Sequence, residues 1–213
     1  MKSFLTIVSF CLSLLVWSQN SIEQNYDKKE VYITMRDGVK LFTSIYIPKD
    51  ISKKNKYPFL MQRTCYSVGP YGEDKFRRAL GPSHFLSDDK YIFVYQDVRG
   101  RYMSEGTFTN MTPQVDHKTK QNIDESTDTY DTIDWLVKNI ANNNGKAGQY
   151  GTSYPGFYTA VGTLANHPAL VASSPQAPIS DFFFDDFHHN GAFVIGYFKT
   201  FPVFGVQKDK PTQ

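Results

Sequence analysis

Gly151-Thr152-Ser153-Tyr154-Pro155-Gly156 is the stretch on which the reading of this chain turns. It stands between a short predicted strand, Lys146 to Tyr150, and a predicted helix, Tyr154 to Leu164, with Pro168 at the exit. A serine in that position sits on a sharp strand-to-helix turn. Glycines are needed on either side because a side chain would clash where the backbone doubles back. The turn lifts the hydroxyl above the sheet, and the start of the following helix offers the backbone N–H of Tyr154 to a developing oxyanion. The usual spacing is G-x-S-x-G; here Pro155 takes the last place and Gly156 follows. Ser153 is therefore the candidate nucleophile, against the plainer reading of a structural turn that contains a serine.

Outward from this turn, the pattern is one of strands alternating with helices. Val31 to Met35 alternates like a strand, Asp37-Gly38 signals a hairpin, and Leu41 to Ile47 reads as the return, ended by Pro48. Tyr57 to Gln62 and Tyr91 to Tyr95 are short apolar runs of the kind buried strands give, the second ending in Gln96-Asp97. Phe76 to Leu86 is read as helical with an interruption at Gly81-Pro82, and Val98 to Asp124 as a long loop. Ser126 to Asn139 is the best helix, with Ser126 as its cap and Tyr130, Ile133, Leu136 and Val137 at helical spacing. Leu170 to Ser174 is one more strand. The expectation is an α/β fold: a mostly parallel sheet with an antiparallel edge hairpin.

Composition narrows the function classes. The chain has 213 residues with 23 basic and 21 acidic side chains, a balance that gives no reason to expect a nucleic-acid or membrane-surface partner. Lys2, the apolar run Phe4 to Trp17 and small residues before Gln19 have the layout of a signal peptide over residues 1–18, so a secreted or periplasmic location is expected. Cys65 is the one cysteine outside that segment, so no intrachain disulfide is expected. Residues 19–29 read as a polar leader, 30–178 as the α/β domain, and 179–213, rich in Phe and Tyr, as the start of a helical cap.

Several motifs in order resemble the peptidase family that includes X-Pro dipeptidyl-peptidases, cocaine esterase, glutaryl acylases and α-amino acid ester hydrolases. They are Met35-Arg36-Asp37-Gly38-Val39-Lys40-Leu41, Arg63-Thr64-Cys65-Tyr66, Asp97-Val98-Arg99-Gly100-Arg101 with Ser104-Glu105-Gly106, and the turn at Ser153. Cys65 stands where proline is common. The resemblance implies an α/β-hydrolase fold acting through an acyl-enzyme at Ser153. It also implies an oxyanion site made by the Tyr66 hydroxyl and the Tyr154 N–H, since the chain has no HGGG loop. A packed loop tyrosine is the plain alternative for Tyr66. Asp97 and Arg99 are expected to form a structural pair at a strand end.

Ile123 to Trp135 and Asp185-Asp186-Phe187-His188-His189-Asn190-Gly191-Ala192-Phe193 are most similar to α-amino acid ester hydrolases. That likeness implies small-molecule esters or amides as substrates, with an α-amine held by Asp186, and no cofactor or metal. An ionised Asp186 in an apolar, aromatic stretch is costly unless paired, and a substrate ammonium would serve; a helix cap or a nearby lysine would serve equally. An X-Pro dipeptidyl-peptidase and a general carboxylesterase remain open as activities. In this fold the acid and histidine of a triad follow the serine on later loops. His84, His117, His167, His188 and His189 do not follow a later core strand, so the expectation is an N-terminal fragment, inactive alone, or a non-catalytic truncated product.

Overall fold

The computed structural model describes residues 22–116, 119, 121–181, 183–199 and 201–213. The signal peptide expected at 1–18 and His117 lie outside the described residues.

Six strands form one sheet in the order β1-β2-β4-β3-β5-β6. β1 (Tyr26–Thr34) and β2 (Lys40–Pro48) are the antiparallel hairpin, closed by a hydrogen bond from Gly38 N to Met35 O at 2.9 Å with Gly38 at φ +89°. β2 meets β4 (Ile92–Asp97) antiparallel, while β3 (Tyr57–Thr64) runs parallel to β4 and to β5 (Asn143–Thr152), and β6 (Leu170–Gln176) runs parallel to β5. Every residue of β4 is buried, which is why Ile92 to Tyr95 form an apolar run rather than an alternation, before the buried polar pair Gln96 and Asp97.

β1 starts at Tyr26, so Tyr26 to Lys29, expected as leader, pair with β2. The segment reads as polar because its buried cation is solvated by the protein. Lys28 Nζ donates to the carbonyls of Pro70, Gly72 and Lys75 at 2.6, 2.8 and 2.9 Å and pairs with Glu30 at 2.7 Å. The three carbonyls lie more than forty residues away along the chain.

Between β3 and β4 the helix is shorter than expected: α1 covers only His84–Asp88. The preceding residues are held by side chains instead. Arg77 donates to the carbonyls of Val68 and Gly69 and lies 4.3 Å from the Tyr95 ring, and Gly81 N donates to the Tyr95 hydroxyl at 2.8 Å. α2 (Glu125–Asn139) links β4 to β5 and buries Ile133 and Leu136 against Phe59, Met61 and Val94. Its cap is Asp124, two residues before the expected cap Ser126. The carboxylate accepts from Ser126 N and Thr127 N at 3.0 Å, and Thr127 Oγ1 accepts from Asp124 N, a reciprocal capping box.

α3 (Tyr154–Thr163) joins β5 to β6. The segment after β6, expected as the start of a helical cap, combines short helical turns with a hairpin. It holds a π-type turn (Phe183–Phe187), a hairpin of β7 (His188–His189) with β8 (Ala192–Phe193), a 3-10 turn (Ile195–Lys199) and a single α-turn, α4 (Phe201–Phe204). The hairpin has a local cause: Asn190 and Gly191 both take positive φ, +50° and +83°, as a two-residue turn requires.

Candidate active site

Ser153 stands between β5 and α3 with φ +62° and ψ −124°. A non-glycine residue there is strained, and such strain persists only where the surroundings fix it. They do so here on three sides. Ser153 N donates to Gln176 O at 3.0 Å, at the end of β6, and Ser153 O accepts from Phe157 N at 3.0 Å. A methyl group on Gly151 would overlap the Pro155 carbonyl, and one on Gly156 would overlap the Gln176 carbonyl and touch Pro178. The glycine requirement at the far side of the turn thus falls on Gly156, while Pro155 begins the helix without needing its missing N–H. The Ser153 side chain is exposed and makes no capping bond.

Tyr154 opens α3, the helix end where N–H groups and dipole favour an anion. Its ring is buried: it stacks on Tyr158 at 5.1 Å, and its hydroxyl accepts from Met111 N at 2.7 Å. Tyr66 follows the end of β3, the strand beside β5, and meets Tyr154 edge-on with ring centroids 6.2 Å apart. It is half-buried. Burial, and then the charges of Cys65 and Asp186, push its phenol up to about 12, so the hydroxyl keeps its proton at neutral pH and can donate it in a hydrogen bond. The structure therefore brings Tyr66 against Tyr154, the residue that follows Ser153.

Three of the described histidines pack on other groups. His84 packs on Phe85 in α1, and His167 is buried against Tyr130 with Asp134 at 3.8 Å. His188 stacks on Phe183 at 3.9 Å, and His189 is its exposed neighbour in β7.

The Asp97–Arg99 pair expected at the end of β4 is not formed. Arg99 turns to Asp128 at 2.8 Å and Asp37 at 2.7 Å. Asp128 also lies 3.5 Å from Arg63, whose Nη1 binds Glu125 at 2.9 Å and whose Nε donates to Gln96. Burial raises the carboxyls of both Glu125 and Asp128, against the pull of the two arginines. Sequence reasoning picked out Arg63 and Arg99 as motif residues, but nothing local named α2 as their partner. Asp97 instead accepts from Val68 N at 3.0 Å and from the Tyr71 hydroxyl at 2.9 Å.

A parallel sheet carrying a strained serine between strand and helix, with a protonated tyrosine beside the helix start, defines an α/β-hydrolase. The description "X-Pro dipeptidyl-peptidase (S15 family)" matches residues 37–213, and the chain belongs to that family. It is 29% identical over 165 residues to cocaine esterase from Rhodococcus sp. (strain MB1 Bresler), an alignment that takes 76% of this chain and 25% of that one. A solved α-amino acid ester hydrolase superposes with TM-score 0.74 at 37% identity, covering 89% of this chain and 31% of that one. An aminopeptidase from a marine sediment Thaumarchaeota archaeon gives 0.67 at 42% identity, covering 79% and 28%. The chain thus spans between a quarter and a third of the length of these relatives.

Proposed function

We propose that this chain carries the nucleophile side of a serine hydrolase that forms an acyl-enzyme at Ser153 with small esters or amides whose acyl group bears an α-amine. The observation that carries the reading is the serine at φ +62° on the turn between β5 and α3, held by Gly151, Gly156 and Gln176. In this reading Ser153 Oγ attacks the acyl carbon, its proton passes through a base to the leaving alcohol or amine, and the bond to that group breaks. The Tyr66 hydroxyl and the Tyr154 N–H receive the oxyanion. The base is taken to be supplied from outside the described residues, among which His84, His167 and His188 pack on other groups. Asp186 supplies the charge for the α-amine; its effect on Tyr66 supports a place at the same site. Secretion or a periplasmic location belongs to the same proposal and rests on the leader at residues 1–18.

Two solved relatives named for amino-bearing substrates, an amino acid ester hydrolase and an aminopeptidase, favour this substrate class over a plain carboxylesterase. The family match keeps X-Pro dipeptide substrates as the second reading. In a form of the protein that hydrolyses p-nitrophenyl esters, a fluorophosphonate labels Ser153 and Ser153→Ala removes nearly all turnover. Labelling of a different serine overturns the proposal. Comparing phenylglycine methyl ester with an Xaa-Pro p-nitroanilide separates the two substrate readings.

A further inference from the structure

Tyr66 sits between two peptide groups that are each fastened by a buried side chain, one from the end of β4 and one from the turn after it. On one side, Arg101 Nε donates to the Cys65 carbonyl, immediately before Tyr66, at 3.0 Å. On the other, Asp97 accepts from Val68 N at 3.0 Å and from the Tyr71 hydroxyl at 2.9 Å. Asp97 is itself fixed, because Ser104 Oγ donates to its carbonyl at 2.6 Å and Met103 N approaches its carboxylate at 3.4 Å.

Arg101 reaches further. Its Nη1 donates to the Val206 carbonyl at 2.8 Å, two residues past Phe204, and Phe204 packs on Tyr154 with centroids 6.1 Å apart. The guanidinium lies near the rings of Tyr102 and Phe108, at 4.9 and 5.2 Å. Gly205 makes room for it: a methyl group there would come 2.8 Å from the guanidinium carbon. Burying an arginine is a costly way to fill space, and an apolar side chain would pack there more cheaply. What the planar fork adds is direction, since it fixes two carbonyls at once in a geometry that an ammonium cannot reproduce.

We propose that Arg101 and Asp97 are positioning residues for the Tyr66 hydroxyl, and that Arg101 couples that hydroxyl to the Phe204–Val206 segment. The inference rests on the reading of Tyr66 as an oxyanion donor and names what aims it. Neither side chain touches substrate; both act by fixing the peptide groups that bracket Tyr66. A donor misplaced by a fraction of its hydrogen-bond length loses much of its transition-state value while substrate binding is little affected.

A double-mutant cycle tests this in a form of the protein that hydrolyses p-nitrophenyl acetate. Arg101→Lys lowers kcat about tenfold or more, with KM within about twofold. In a Tyr66→Phe background the same change costs less than about twofold, because the group it positions is already gone. Equal losses in both backgrounds overturn the proposal and make Arg101 a support of the fold. An unchanged kcat in Tyr66→Phe alone is a distinct result: it removes the donor reading itself, and the inference with it. Should Arg101→Lys not fold, Asp97→Asn, of the same shape, enters the cycle and is judged by the same criterion.

Discussion

Gly151 lies so close to the Pro155 carbonyl that a single methyl group on its Cα would overlap that oxygen. The clash is with backbone on both sides, so no side chain can swing away to relieve it. Gly151→Ala is expected to cost at least ~2 kcal/mol of stability, at or above the usual penalty for overpacking. Gly196→Ala is the control, since a methyl group there meets nothing within 4 Å. Urea unfolding of the two variants checks this; equal stability would show that the turn can open without loss.

A phenol already holds its proton at neutral pH, and burial pushes that of Tyr66 further up, to about 12. As an oxyanion donor it would stabilise only the charged intermediate. Tyr66→Phe should therefore lower kcat by about 10²–10³ with little change in KM. Steady-state kinetics with p-nitrophenyl esters gives the answer, and near-normal turnover would return Tyr66 to a packing role.

Arg63 is the hub of a buried charge cluster, holding Glu125 at 2.9 Å and Asp128 at 3.5 Å. Removing it strands two carboxyls that burial already disfavours as charges. Arg63→Met should cost ~3–5 kcal/mol, the range for breaking a buried pair from one side. A shift in the urea midpoint with unchanged slope is the expected signature, and a loss below ~1 kcal/mol would show that water or rearrangement replaces the pair.

Asp97 titrates in an unusual range. Burial pushes its carboxyl up from 3.8 to about 7, against the hydrogen bonds from Tyr71, Met103 and Val68 and the charge of Arg101. The folded chain then holds a proton that the unfolded chain has released, so this group's contribution is complete below about pH 4 and fades as pH rises through 7. Asp97→Asn does not titrate. Relative to wild type it should gain up to ~3 kcal/mol between pH 5 and pH 8. A wild-type-to-variant difference that stays flat over that range would mean that Asp97 is ionised throughout.

The proposed function gives Asp186 the substrate's α-amine as its partner. Losing a charge-assisted contact of that kind costs about tenfold or more in binding. Asp186→Asn should raise KM for phenylglycine methyl ester by that factor and leave methyl phenylacetate, which lacks the amine, nearly unchanged. Parallel losses on both esters would assign Asp186 to the fold.

What the sequence made legible is what neighbouring residues decide among themselves. The turn at Ser153, the hairpin at Asp37-Gly38 and the apolar runs of β3 and β4 depend on local pattern, and each stands where expected. The errors share the opposite character. Lys28 reads as solvated leader because its carbonyl partners come from the loop after β3. Arg99 reads as matched to Asp97, two residues away, but β4 ends at Asp97 and the chain turns over residues 98–101, where α2 and the hairpin offer Arg99 the carboxylates of Asp128 and Asp37 instead. The cap of α2 is a nearer miss: Asp124 and Ser126 both suit the role, and Thr127 decides it by returning the bond. Asn190-Gly191 was a local signal, overshadowed by the surrounding aromatic residues.

The strand order has a consequence for the time course of folding. β3, which delivers Tyr66, is hydrogen-bonded on both sides by strands that come later in the chain, β4 and then β5. It cannot acquire its second neighbour until the long loop after β4 and the whole of α2 have been gathered in, and closing so long a stretch is entropically slow. Tyr66, just past the end of β3, and Ser153, just past the end of β5, therefore come to neighbouring strand ends only at that late closure, well after the β1–β2 hairpin has formed.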